Sequence, residues 1–228
     1  MAESIRVLST LALRGAVLAL AGQYQAAGGA GGDADFAPTL ALLARLRAGE
    51  AADIVILTRE GLDEVAREGR VAPQSCVDLA RSFVGVAVTA GAPHPDIATE
   101  ASLRAALLAA RAVAYSRLGA SGILFAQLIE RLGIAADINA RAVIIPQGFT
   151  AERLVSGEAD LAIQQISELK QIDGIEVVGP IPHELQTPAV FSAGRMTASQ
   201  KTAEADRLLR FLASPGVAPA LRDSGLEP

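Results

Sequence analysis

The chain has 228 residues, 51% of them apolar, with 25 acidic against 20 basic side chains and a formal net charge of −5. Its arginines are scattered singly along the chain, so no basic stripe follows a phosphate backbone and no nucleic-acid partner is implied. Much of the apolar content is alanine, and no uninterrupted apolar run reaches the roughly 18–20 residues that span a bilayer, so no transmembrane segment is read.

Residues 5–8 read as a short buried strand and 12–26 as a helix stopped by the cluster Gly28-Gly29-Ala30-Gly31-Gly32. That cluster follows a helix instead of joining a strand to one, which makes it a turn and not a dinucleotide fingerprint. The apolar stretch 8–21 is interrupted by Arg14 and preceded by Glu3 where a leader carries basic residues, so no signal peptide is read. A helix over 39–48, a strand over 53–58, a helix over 61–68 and a strand over 83–89 complete the first half. Gly91-Ala92-Pro93-His94-Pro95 then breaks the periodicity. After it come a helix over 99–110, a strand over 112–116, a helix over 121–132, a strand over 142–146, a helix over 150–155 and strands over 161–165 and 176–179. Pro180, Pro182 and Pro188 mark the return to a strand over 189–195 and to amphipathic helices over 199–213 and 217–223. Alternating strands and helices imply mostly parallel sheets.

One pattern occurs twice. Arg45-Leu-Arg-Ala-Gly49-Glu-Ala-Ala-Asp53 leads into the apolar run 54–58, and Arg153-Leu-Val-Ser-Gly157-Glu-Ala-Asp160 leads into the run 161–165, which ends on Gln164 and Gln165. A helix closed by glycine and followed at once by a buried strand, built twice, predicts two similar α/β lobes, with residues 1–88 and 189–228 in one and 89–188 in the other. A cleft between two lobes is a ligand site.

Isolated chemistry is sparse. Cys76 is the one cysteine and makes no internal disulfide, and neither His94 nor His183 has metal-ligand spacing, so no metal or cofactor is implied. No Ser/His/Asp or Cys/His arrangement is argued from spacing. Glu168, following Ser167, reads as capping or solvating a short helix.

In order along the chain, Ser9-Thr10 after the first strand, Arg47-Ala-Gly-Glu-Ala-Ala-Asp53, Ala120-Ser121-Gly122, Arg131-Leu-Gly-Ile134, Gly157-Glu-Ala-Asp160 and Phe211-Leu-Ala-Ser-Pro215 resemble the periplasmic molybdate-binding protein family of type II solute-binding proteins. The resemblance runs nearly end to end and implies a two-lobed periplasmic-binding-protein fold. It further implies an anion held by hydroxyls and by backbone N–H groups at helix starts, where unpaired donors and a partial positive charge converge. Carried over, the binding turns fall on Ser9, Thr10, Leu11 and Ala12, on Thr39, on Ser121, on Gln147 next to Gly148, and on Gln165. Ala12 stands where the family carries a serine and Gln165 where it carries a tyrosine. Gln164 and Gln165 are adjacent on a strand and face opposite sides, so one of them enters the cleft, with Gln165 favoured. Thr39 and Ser121 also stand where a helix N-cap hydroxyl would. Arg14 and Arg117 are the cations close to these turns, and either can anchor a carboxylate.

Val88-Thr-Ala-Gly-Ala-Pro-His-Pro-Asp-Ile97, Tyr115-Ser116, Gln164-Gln165-Ile-Ser-Glu168 and Gly179-Pro-Ile-Pro-His-Glu-Leu-Gln186 mark a divergent branch to which aconitate isomerase looks similar. The expectation is therefore capture of a small anion, an organic carboxylate ahead of an oxyanion such as molybdate, in a cleft that closes by hinge motion and hands the solute to an ABC transporter permease. The alternative is an isomerase of a small polycarboxylate using Ser9, Thr10, Tyr115 and Ser121, and a third reading is a ligand sensor. The family implies the periplasm if a leader was removed, and the cytoplasm is the alternative.

Overall fold

The computed structural model describes residues 4–228 and divides them into two compact units, one formed by the chain up to Ser82 together with Ala189–Pro228 and the other by Phe83–Pro188.

In the first unit the chain runs β1 (Ile5–Ser9), α1 (Arg14–Ala26), β2 (Gly32–Phe36), α2 (Thr39–Arg47), β3 (Ile54–Thr58), α3 (Arg59–Arg67) and β4 (Val77–Ser82). The second unit follows with β5 (Val84–Thr89), α4 (Glu100–Ala109), β6 (Val113–Ser116), α5 (Ala120–Arg131), α6 (Ala135–Asn139), β7 (Val143–Ile145), α7 (Glu152–Val155), β8 (Leu161–Gln165), α8 (Ile166–Leu169) and β9 (Ile175–Pro180). The return supplies β10 (Ala189–Arg195), α9 (Thr202–Leu212) and α10 (Ala218–Asp223) to the first unit.

Each unit is built on a five-stranded sheet, ordered β2-β1-β3-β10-β4 in the first and β7-β6-β8-β5-β9 in the second. Three adjacent strands pair in parallel, and the fourth runs antiparallel to both its neighbours. Four of five strands therefore point the same way in each sheet, and the two sheets have one topology. Helices cover both faces: Leu13, Leu20, Leu209 and Phe191 meet on one side of the first sheet, and Leu42, Leu57, Leu62 and Val65 on the other. The second sheet is covered likewise, by Leu103, Phe125 and Ile129 on one face and by Leu154, Ala162 and Leu169 on the other.

The repeated sequence does the same work twice. Gly49 and Gly157 both adopt positive φ, 90° and 74°, and end their helices as only glycine does without strain. The aspartate that follows then splices its strand to the next one. Asp53 Oδ2 accepts the Arg6 N–H at 2.9 Å while its own N–H donates to Arg6 O, and Asp160 Oδ2 accepts the Arg111 N–H at 2.7 Å while its N–H donates to Ala112 O.

Two expectations are corrected. The passage between units falls at Ser82–Phe83 and not after residue 88, because β5 pairs with β8 and β9 of the second sheet. β4 and β5 follow each other with only Phe83 between them, and of the two only the strand over 83–89 is read from the sequence. The second half of the glycine cluster is likewise not all turn, since Gly32 opens β2, a half-exposed edge strand of composition Gly-Asp-Ala-Asp-Phe.

Candidate functional site

In the first unit β1, β2 and β3 are parallel, so the turns leaving their carboxyl ends share one edge of the sheet. Thr10 is drawn to this edge by its N–H bond to Ile56 O at 3.0 Å, and Ala37 N–H donates to Ser9 O at 3.1 Å. Ser9 is fully buried and its hydroxyl donates to the Thr10 carbonyl at 3.1 Å, so its place is to shape the turn. Thr10 is different. Its side chain is buried at 3% exposure, and Oγ1 has no hydrogen-bond partner among the described residues. A buried hydroxyl left in that state costs about 1–3 kcal/mol, which makes it a group in need of an explanation.

Leu11 and Ala12 continue the turn as a buried 3₁₀ segment, and Arg14 is the first residue of α1, half-buried and engaged in an interaction of its own. Thr39 opens α2 on the same edge. Pro38 holds the cap position of that helix, so the Thr39 hydroxyl is not its N-cap. A β-carbon on Gly61 would lie 2.9 Å from Thr39 Cγ2, which shows the threonine methyl seated on the first turn of α3. Thr58 does cap α3, accepting the Gly61 N–H at 3.3 Å.

The second unit repeats the arrangement on β6, β7 and β8. Gly119 occupies the cap position of α5 and Ser121, 3% exposed, is its second residue, so Ser121 is no cap either. Gly122 explains how the helix starts so close to the strand: a β-carbon there would fall 1.4 Å from Ser116 O, so only glycine fits. Gln147 is exposed in the turn after β7, beside Gly148 at φ 89°. Gln165 is buried at the end of β8 and has an interaction of its own. Arg117 is exposed, with Nη2 at 3.5 Å from Tyr115 Oη and 3.4 Å from Asn139 Oδ1. Tyr115 is 1% exposed, packed at 5.0 Å against the Phe125 ring and donating to Asn139 Oδ1 at 2.5 Å; it sits in the core with its hydroxyl engaged.

The sequence weighed Gln164 only as the alternative to Gln165 for the cleft, and it did not single out Thr150 or the burial of Glu168. Gln164 Oε1 accepts the Thr150 N–H at 2.7 Å and the Thr150 hydroxyl at 3.0 Å, and its Nε2 donates to Gly148 O at 3.0 Å. Glu168 accepts the Gln165 N–H, closing the first turn of α8 as expected of a cap, and also takes a hydrogen bond from the Gln164 side chain. It is not solvated, however, at 8% exposure, and burial pushes its carboxyl up to about 8 against those two bonds. The adjacent amide pair was the available signal. A strand that ends on two glutamines must find partners for at least one of them inside the protein.

The two histidines have other partners. His94 Nε2 is 2.8 Å from Glu176 on the surface, and His183 stands edge-on to Phe83 at 4.7 Å. Among the described residues no group of acidic, histidine or cysteine side chains is spaced to hold a metal ion, and no helix is long and apolar enough to cross a membrane.

The family model of bacterial extracellular solute-binding proteins matches residues 5–227. The chain belongs to that family. Among curated proteins it is similar to an aconitate isomerase of Pseudomonas sp., 36% identical over 99% of this chain and 88% of that one. Among solved structures it is similar to the periplasmic molybdate-binding protein of Azotobacter vinelandii, with TM-score 0.83, 18% identity and 99% of each chain covered. It also resembles the sulfate-binding protein of Mycobacterium tuberculosis H37Rv, with TM-score 0.76, 17% identity, and 99% of this chain and 86% of that one covered. The last two likenesses establish the two-lobed periplasmic-binding-protein fold. In this solute-binding family member each unit presents one set of turns at the carboxyl edge of its parallel strands.

Proposed function

We propose that this solute-binding protein captures a small polycarboxylate with donors drawn from its carboxyl-edge turns, those after β1, β2, β6 and β7 among them, and that it does so in the periplasm for an ABC-type transporter. The observation that carries this reading is Thr10 Oγ1, a buried hydroxyl with no partner among the described residues at a helix start where an anion is favoured. Thr39 and Ser121 support it, because each stands in the first turn of a helix that it does not cap. A carboxylate is favoured over a tetrahedral oxyanion by Ala12 and Gln165. A pocket for a rigid oxyanion surrounds it with donors, whereas a carboxamide brings a spare acceptor that suits hydroxyl or protonated groups beside a carboxylate. The 36% identity to an aconitate isomerase points the same way.

That identity also favours a second reading, in which the bound acid is isomerised by a 1,3-proton shift that needs a positioned acid and base. Titration calorimetry with molybdate, sulfate, citrate and trans-aconitate tests the first reading, with the organic acids expected to bind and the inorganic ions to bind weakly. Tight molybdate binding without response to either acid overturns it. Proton NMR of cis-aconitate incubated with the protein tests the second: formation of the trans isomer at a catalytic rate establishes it, and an unchanged spectrum rejects it.

A further inference from the structure

Gln164 has four hydrogen-bonding valences, and all four are used inside the second unit. Two lone pairs take the N–H and hydroxyl of Thr150, one amide hydrogen goes to Gly148 O, and the other goes to the Glu168 carboxyl. The residues tied down in this way, Gly148 and Thr150, lie in the turn that follows β7, and Gly148 holds a left-handed conformation. On the other side Glu168 is fixed by the Gln165 N–H at the start of α8, a helix packed on β5, β8 and β9. β5 and β8 carry no titratable side chain, and the single carboxylate of β9, Glu176, is exposed and engaged by Gly91 N–H and His94. Glu168 is thus placed in the interior, and among the described residues no cation pairs with it. A buried carboxyl without an ion-pair partner is costly to keep, and its visible work is to hold one end of the Gln164 amide.

We propose that Glu168 is a positioning residue for the ligand-binding turn at Gln147–Thr150, acting through Gln164; this rests on the binding role proposed above for that turn. With the carboxyl in place, Gln164 has one orientation in which every bond is made. Without it, one amide hydrogen is left buried without a partner, and the remaining bonds hold the turn less firmly. The donors of the turn then sample other directions, and the ordering falls to the ligand, which binds more weakly in consequence.

The test compares the wild-type protein with Gln164→Leu and Glu168→Leu, the latter close in size to the carboxyl side chain and without its hydrogen-bonding oxygens. Amide exchange followed by NMR reads the Thr150 N–H directly, without any ligand, and calorimetry with trans-aconitate reads binding. Both variants are expected to speed Thr150 exchange while core amides of β6 keep their protection, and to weaken trans-aconitate about tenfold, the effect of losing roughly one hydrogen bond. Unchanged Thr150 exchange in either folded variant overturns the proposal, as does faster exchange with undiminished affinity. If the wild-type protein binds no trans-aconitate while Thr150 exchange responds as expected, the polycarboxylate reading falls and the anchoring of the turn stands.

Discussion

Thr10 separates stability from function more sharply than any other residue of the proposed site. Valine has nearly its shape and lacks its hydroxyl, so Thr10→Val removes a buried polar atom that has no partner among the described residues. If the hydroxyl serves a ligand, the variant melts at the same temperature or higher and binds its acid more weakly by about 1–3 kcal/mol, measured by scanning and titration calorimetry together. A lower melting temperature with unchanged affinity would mean that the hydroxyl serves the fold. The same pair of measurements applies to Thr39→Ala and Ser121→Ala. An N-cap hydroxyl contributes about 1 kcal/mol to its helix, but Pro38 and Gly119 hold the cap positions here. These two variants are therefore expected to lose affinity and to keep their melting temperature within a few degrees.

The repeated splice between helix, glycine, aspartate and strand belongs to the scale of elements, and its two copies differ in a way that yields a magnitude. Asp53 is 7% exposed and holds the Arg6 N–H, the Ser199 hydroxyl at 2.7 Å and Lys201 at 3.4 Å, so it ties the return segment to β1 and β3. Asp160 holds the Arg111 N–H and an exposed Arg111 guanidinium. Replacement by alanine is expected to cost about 3 kcal/mol at Asp53 and about 1 kcal/mol at Asp160, from denaturant titrations of the two variants. Equal costs would show that the backbone bond common to both sites carries the whole effect. The helix-to-strand repeat was legible from residues alone because its parts are local: a positive-φ glycine, an aspartate and an apolar run. β2 was not, since an edge strand made of Gly-Asp-Ala-Asp-Phe buries little and so lacks the alternation that marks a strand. Of the site, the hydroxyls at helix starts could be placed by resemblance, whereas the Gln164 anchor could not. Its four bonds join β8 to residues 14 and 16 positions earlier in the chain and to α8 beyond it, a closure set by packing.

At the scale of the whole molecule, Glu168 gives stability a pH slope across the neutral range. Burial raises its carboxyl to about 8 from an ordinary value of 4.5, so between those two values the folded chain binds a proton that the unfolded chain has released. Stability is then greatest below the lower value and declines as pH rises towards the upper one, by up to a few kcal/mol. Glu168→Gln is expected to flatten this decline in melting temperature between pH 5 and pH 8; an identical slope in the variant would rule Glu168 out as its source. Carboxylates held low by arginine, such as Asp35 beside Arg45, act in the opposite sense and on the acid side of this window.

The order of strands also has a consequence for how the chain folds during synthesis. β10 lies between β3 and β4, although it follows β4 by more than a hundred residues, whereas β5 through β9 are contiguous. The amino-terminal segment emerges from the ribosome with the gap in its sheet still open, and must wait for residues 189–195 to fill it. The second unit has all its strands at hand as soon as Pro188 is out, so it is expected to mature first and to hold the two ends of the gap close until β10 arrives. A fragment of Phe83–Pro188 expressed alone should give a cooperative melting transition and dispersed amide resonances, and a fragment ending at Ser82 should give neither. Late synthesis, not early, would then complete the sheet of the first unit.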